Sequence, residues 1–208
     1  MGFAFHNKTE FWLDTMEVNL GVVGPWALGE ETQNFVHDLR NIATADGWEH
    51  QIKNEPAINF IWERKFRKWL LGGPSGIGID ALGHVGASLG NVYTYANMGG
   101  GLRVGWNLPA DFGAAIIRLA GDTNAPASRH DLRYVQDNVI SIHWFVSVDG
   151  RAIARDLTLD GNSWRNSHSV EKKHYVGDLS TGIATVIGSW KFSYAQSFRT
   201  RTFEGGTD

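Results

Sequence analysis

The chain has 208 residues, a formal net charge of −3 and a pI of about 6.2. This charge balance and the lack of a basic stripe argue against a nucleic-acid partner. The absence of cysteine excludes disulfides and thiolate metal sites. The chain contains no run of about eighteen apolar residues that would predict a transmembrane helix, and its first residues lack the pattern of a signal peptide.

Alternation of apolar and polar residues is the main structural signal along the chain. Between residues 14 and 23, for example, Met16 and Leu20 share one face while Glu17 and Asn19 share the other. Similar patterns predict roughly eight strands, near residues 14–23, 56–70, 77–89, 91–108, 134–148, 151–160, 173–187 and 189–203. Asp149-Gly150 is typical of a tight hairpin between two of them, and the segments 71–76 and 121–130 predict loops.

Segments with one apolar and one polar face fit two all-β architectures. In a membrane barrel the apolar face contacts lipid, whereas in a soluble sandwich the same face forms the core. Large aromatic residues near predicted strand ends, such as Trp69, Trp106 and Tyr194, favour the membrane barrel. Periodicity alone does not separate the two architectures.

One segment departs from this alternation and predicts a short helix over residues 29–40. Acidic residues stand in its first turn and Arg40 at its end, as the helix dipole favours. The helix lies between two predicted strands and therefore belongs to a loop at one mouth of the barrel. Phe35, Val36 and Leu39 form an apolar side that we expect to hold the helix against the barrel wall.

The candidate catalytic residues lie on this helix. Gln33 and His37 are four residues apart and therefore share one helix face. A histidine can accept a proton from water near neutral pH, and a neighbouring amide can orient that water or stabilise an oxyanion. The alternative is a polar helix face directed toward solvent.

The segment 47–56 is rich in carboxylates, amides and histidine. Oxygen-rich clusters of this kind suit calcium, which makes Glu49 and Glu55 candidate ligands without assigning either. The alternative is the solvated beginning of a strand. His84 and His143 are predicted to face the barrel lumen as ordinary polar positions.

Nine segments, in order along nearly the whole chain, together resemble one family. They are residues 20–25, 33–37, 47–51, 54–56, 89–96, 102–106, 149–152, 159–162 and 167–170. The family is that of the outer-membrane lipid A 3-O-deacylases. The resemblance implies a monomeric, antiparallel transmembrane β-barrel of about twelve strands in the outer membrane of a Gram-negative bacterium. About eight of those strands are expected here, with the short helix in an extracellular loop.

The resemblance also implies an activity. Members of the family remove the ester-linked acyl chain at position 3 of lipid A with the help of calcium. By motif, His37 corresponds to the catalytic histidine, which acts as a general base on water, and Gln33 to its helix partner. The metal ligands remain unassigned. The implied partners are lipid A or lipopolysaccharide as substrate and the surrounding outer-membrane lipids.

The chain departs from the family pattern at both ends. The family's opening strand carries an Asn-Asp pair that has no counterpart here, residues 1–12 match nothing in the family, and the strand at 14–23 resembles its fourth. The final aromatic-ended strand is also absent. We therefore expect residues 1–208 to form a single barrel domain, incomplete at both ends and inactive on its own.

Three other functions remain open from the sequence. The chain could be a non-catalytic barrel that passes solute or binds a ligand, or an inactive truncated remnant. It could also be a soluble β-protein that binds carbohydrate on its aromatic face.

Overall fold

Eight antiparallel strands form one sheet in which each strand pairs with its neighbours along the chain. The computed structural model describes residues 1–9, 11–44, 46–73, 75–113, 140–188 and 190–205. The strands are β1 Gly2–Lys8, β2 Trp12–Val23, β3 Glu55–Leu71, β4 Ile77–Gly90, β5 Tyr93–Trp106, β6 Ile140–Asp156, β7 Tyr175–Ile187 and β8 Trp190–Arg199. Two α-helices, α1 Gly29–Leu39 and α2 Leu157–Asp160, lie in the connections, with 3-10 turns at Pro25–Ala27 and Trp48–His50.

Both α-helices lie at the same end of the sheet. We call this end the helix mouth; it is formed by Val23, Glu55, Gly90, Tyr93, Asp156 and Tyr175, where strands end or begin. The opposite mouth is formed by Lys8, Leu71, Trp106 and Ile187 and their partners. β1 and β8 are the edges of the sheet, and within the described ranges no strand pairs with the outer side of either.

Burial in this sheet is the reverse of burial in a soluble protein. On β2 the side chain of Glu17 is 0% exposed, while Met16 beside it is 48% exposed. The same holds across the sheet: Asp80 and Arg103 are buried, and Leu102 and Trp144 are exposed. The polar side chains of each strand therefore face inward and the apolar side chains face outward. This is the arrangement of a membrane barrel and not of a soluble sandwich.

The inner face is curved and lined by polar groups. A cavity of about 540 Å³ on this face has lining residues from β2 through to β8, among them Glu17, Asn59, Asp149 and Arg199. Residues that are distant along a flat sheet can share one cavity because the sheet curls around it. The eight strands therefore form a strongly curved wall.

An ion-pair network links several strands on the inner face, near the opposite mouth. Asp80 accepts hydrogen bonds from Arg67 Nε at 2.9 Å and from Arg103 Nη2 at 2.6 Å. Arg103 also pairs with Asp111, which accepts a further bond from Lys191 Nζ at 2.9 Å. Since Lys191 belongs to β8, the network ties the edge strand to β4 and β5 across the interior.

The predicted hairpin at Asp149-Gly150 is wrong. β6 runs unbroken from Ile140 to Asp156, with Asp149 paired with Gly99 on one side and Asp178 on the other. The Asp149 carboxylate accepts bonds from His84 Nε2 at 2.7 Å and Asn97 Nδ2 at 3.1 Å. These contacts provide hydrogen-bond donors for the inward-facing Asp149 carboxylate, and the chain continues through Asp149-Gly150 as a strand.

The structure has eight strands among the described residues, the number expected, but they are not the same eight. The predicted strands at 134–148 and 151–160 are one strand, and β1, which the alternation pattern did not reveal, supplies the eighth. Residues 134–139 and the predicted loop at 121–130 lie outside the described residues. The other predicted strands are confirmed to within a few residues, as is the connection over 71–76 between β3 and β4.

The predicted helix is confirmed as α1, Gly29–Leu39, but its expected packing is wrong. Phe35, Val36 and Leu39 are all exposed, at 63%, 41% and 69%. The apolar side of α1 therefore does not lie against the wall. Among the described residues, no helix combines the length and the apolar character required to cross a membrane.

Candidate functional site

The candidate site lies in the long connection between β2 and β3, residues 24–54, which carries α1. Glu30 and Glu31 stand in the first helical turn, where the exposed backbone N–H groups favour negative charge. After the helix, Asn41 adopts a left-handed conformation with φ of 51°. The chain thus reverses, and Ile42 N–H donates to the His37 carbonyl at 3.0 Å.

This reversal fixes the tautomer of His37. Its Nδ1 lies 2.6 Å from the carbonyl oxygen of Ala43. Because a carbonyl oxygen can only accept, Nδ1 carries the proton, and Nε2 of the neutral ring keeps a lone pair. Gln33 Nε2 lies 3.5 Å from His37 Nε2, so the structure brings the two predicted residues together on one face of α1.

The loop is closed at its base, which we call the neck: residues 24–27 and 52–54. Trp26 N–H donates to Asn54 Oδ1 at 2.7 Å. Gly24 has φ of 82°, and a Cβ there would lie 2.6 Å from the Lys53 carbonyl carbon. Only glycine allows the two chain segments to approach this closely.

A second loop, residues 157–174 between β6 and β7, is hydrogen-bonded to the neck and to the first residue of β3. Asn162 Oδ1 accepts from Lys53 N–H at 2.7 Å, and Asn162 Nδ2 donates to the Lys53 carbonyl at 2.6 Å. Ser163 donates to the Glu55 carboxylate from its N–H at 2.9 Å and from Oγ at 3.0 Å. We call these two contacts the loop clamp. It joins segments more than 100 residues apart in sequence and so sets the position of the loop that carries His37.

Sequence reasoning missed the loop clamp. Asn162 lies within one of the segments that carried the family resemblance, but no chemical role was assigned to it. Its pairing with a backbone N–H and a backbone carbonyl leaves no periodic signal in the sequence. The one available sign was that asparagine and serine follow Gly161 in a segment without alternation.

The candidate calcium ligands do not form a metal site in the described part of the chain. The Glu55 carboxylate is buried and is occupied by donors from Ser163. Glu49 is exposed and lies 3.6 Å from His50 Nε2. No group of three or more histidine, aspartate or glutamate residues among the described residues could hold a metal ion.

His84 and His143 both lie on the inner face, as predicted. His84 contacts Asp149 and is partly buried, and its ring has room because the facing residue is Gly99. A Cβ on Gly99 would lie 2.5 Å from His84 Cε1. His143 is 3% exposed. Neither lies on the loop that carries Gln33 and His37.

The whole chain matches one family model. The model described as outer membrane protein LpxR aligns with residues 1–208. The chain belongs to the LpxR family of outer membrane proteins. The match includes residues 1–12, so the expectation that this segment has no counterpart in the family is wrong. No curated protein sequence matches the chain.

One solved structure supports the fold of this LpxR-family chain. LpxR from Salmonella typhimurium superposes with a TM-score of 0.77 at 20% sequence identity. The alignment covers 99% of this chain and 67% of that chain. At this level of identity the similarity establishes the shared fold alone.

Proposed function

We propose that this LpxR-family chain belongs to a lipid A deacylase that hydrolyses the ester-linked acyl chain at position 3 of lipid A, with His37 as general base. The observation that carries the proposal is the hydrogen bond from His37 Nδ1–H to the Ala43 carbonyl. It leaves Nε2 as a proton acceptor beside Gln33, on a loop held at a mouth of the wall.

The reaction needs one water molecule and one base. His37 Nε2 takes a proton from water while the water oxygen attacks the ester carbonyl carbon. The Gln33 amide is placed to orient the water or to donate to the oxyanion. The tetrahedral intermediate then breaks its bond to the sugar oxygen, which takes the proton from His37. The products are a free fatty acid and a sugar hydroxyl.

Calcium is implied by the family resemblance, but the described residues include no group of three or more histidine, aspartate or glutamate residues that could hold it. The wall formed by the eight strands, taken as one barrel domain, would place the substrate's acyl chains beside the apolar outer face, with the ester near the helix mouth.

The decisive test is substitution of His37. In a full-length version of the protein, the His37→Ala variant should release acyl chain from purified lipid A at least about 100-fold more slowly than the unchanged sequence. The reason is that general-base catalysis contributes about 10²–10⁴-fold. Released hydroxy fatty acid is measured by mass spectrometry, with and without a calcium chelator. His50→Ala, an exposed histidine of the same loop, is the matched control. Equal rates for the His37 and His50 variants would reject His37 as the base.

A non-catalytic barrel that binds a ligand is the second candidate. It is favoured by the cavity of about 540 Å³ on the inner face, which has charged side chains such as Asp149 and Arg199 in its lining. It predicts that the full-length version releases no acyl chain under any metal condition and still retains lipid A measurably.

A further inference from the structure

The two sides of α1 differ in burial in the same sense as the two faces of the wall. Gln33, Asn34 and His37 are half-buried, and the Oδ1 atom of Asn34 is fully buried. Phe35 and Leu39, four residues apart on the other side of the helix, are exposed. The polar side of α1 is therefore covered by the protein and its apolar side is not. On the strands, this reversal of burial marks the surface that contacts lipid.

We call the exposed apolar residues of this helix the α1 stripe; they are Phe35, Val36 and Leu39. The chain between the wall and the stripe is also apolar on its surface. Val22, at the end of the outer face of β2, is 44% exposed, and Trp26 and Leu28 after it are 63% and 57% exposed. The apolar series that begins on the lipid-facing side of β2 thus continues through the neck to α1.

The neck fixes the level of this series relative to the wall. Trp26 N–H donates to Asn54 Oδ1 at 2.7 Å, and Asn54 directly precedes the first residue of β3. Trp26 therefore stands where the strands end. An exposed indole at that level is typical of the boundary between the acyl chains and the headgroups of a bilayer.

The charge of the connection indicates which kind of membrane contact it suits. Residues 24–54 carry five carboxylates and only two cations, namely Glu30, Glu31, Asp38, Asp46 and Glu49 against Arg40 and Lys53. The clamped loop, residues 157–174, adds two carboxylates and three cations, so the two loops together remain acidic. Anionic headgroups do not attract such a surface. Contact with a bilayer would instead depend on the burial of apolar side chains.

We propose that the α1 stripe, together with Trp26 and Leu28, lies in the interfacial layer of the bilayer that surrounds the wall and contacts zwitterionic lipid there. α1 is then an interfacial helix that anchors the connection between β2 and β3 to the membrane surface. Its apolar side leaves water, while its polar side stays against the protein. The inference does not rest on the deacylase proposal, because it concerns only the apolar side of α1.

The test uses the lack of cysteine in the chain, since one introduced cysteine then carries a spin label at one known position. The full 208-residue chain is folded into dimyristoyl phosphatidylcholine vesicles with the label at Leu39→Cys or at Glu30→Cys. Glu30 is exposed on the opposite side of the same helix. Collisions with oxygen, which concentrates in lipid, are compared with collisions with a water-soluble nickel chelate. The ratio of oxygen to nickel collisions should be severalfold higher at position 39 than at position 30.

A matched pair of variants tests the role of the stripe, with the label kept at position 39. Phe35→Asp should abolish the preference for oxygen, because it places a charge within the stripe. Arg40→Gln changes the net charge by the same amount at an exposed position outside the stripe, and it should leave the preference unchanged.

Three outcomes would overturn the proposal. Equal collision ratios at positions 39 and 30 would show that the stripe stays in water. A preference for oxygen that appears only in dimyristoyl phosphatidylglycerol vesicles would show an electrostatic contact with anionic lipid. Mutual broadening of the labels that persists as the protein is diluted in lipid would show that a second copy of the chain covers the stripe.

Discussion

At His37, one hydrogen bond decides which ring nitrogen can act as a base. The bond to Ala43 exists because Asn41 takes a left-handed conformation, which asparagine tolerates better than most residues. The chemistry proposed for α1 therefore depends on a turn outside the helix. From the sequence, the spacing of Gln33 and His37 was predictable, but the group that orients the ring was not.

Asp111 gives the structure a dependence on pH near the opposite mouth. Burial alone would raise the pKa of its carboxyl, but the charges of Arg103 and Lys191 lower that pKa to about 2. A depressed pKa contributes stability above the ordinary value of 3.8, and that stability is lost as the pH falls toward 2. The contribution is about 2 kcal/mol at neutral pH.

The corresponding experiment compares Asp111→Asn with the unchanged chain by urea unfolding, followed by tryptophan fluorescence. The variant should be less stable at pH 6, and the difference should shrink between pH 4 and pH 2. Asp46→Asn, at an exposed loop position, should show no such change. A stability difference that stays constant from pH 6 to pH 2 would contradict the role given to Asp111.

At the scale of elements, the alternation of apolar and polar residues predicted a strand wherever one face is consistently apolar and the other consistently polar. It failed at β6, because Asp149-Gly150 has the composition of a turn although Asp149 faces the interior and is held by His84 and Asn97. It also failed at β1, which has only seven residues. A local pattern cannot report inward contacts made by strands far away in sequence.

The loop clamp is the element-scale feature that no sequence pattern indicated, and it can be tested. Asn162→Ala removes two hydrogen bonds to Lys53, each worth about 1 kcal/mol. The neck should loosen, and hydrogen exchange of the α1 amides should rise by up to about 30-fold. If the deacylase proposal holds, acyl release should fall as well.

Asn107→Ala is the matched control for the loop clamp. Asn107 also bridges two segments, since it accepts from Gly76 N–H and donates to the Ile140 carbonyl, but it does so at the opposite mouth. Its loss should leave exchange within α1 unchanged. Equal exchange in the two variants would show that the clamp does not position the helix.

For the whole molecule, the reversed burial and the curvature together explain why so few apolar side chains are buried. The interior is held by charged groups, including Asp80, Arg103 and Lys191, while the apolar residues cover the outside. Such an arrangement is unfavourable in water and favourable in a bilayer. The apolar surface that would form the core of a soluble domain is here the surface that contacts lipid.

A pair of arginine substitutions tests this orientation. Val148 stands at the midpoint of β6 on the outer face and is 54% exposed. Val148→Arg should destabilise the chain in phosphatidylcholine vesicles by about 2–4 kcal/mol, because an arginine near the bilayer midplane costs that much. Ser197 lies on the inner face, where its hydroxyl contacts that of Ser180; Ser197→Arg should cost far less. The measurement is urea unfolding in the vesicles. If this outward apolar face met water instead of lipid, Val148→Arg would cost little, because an exposed surface arginine costs little in water. Equal stability of the two variants would therefore contradict the membrane orientation.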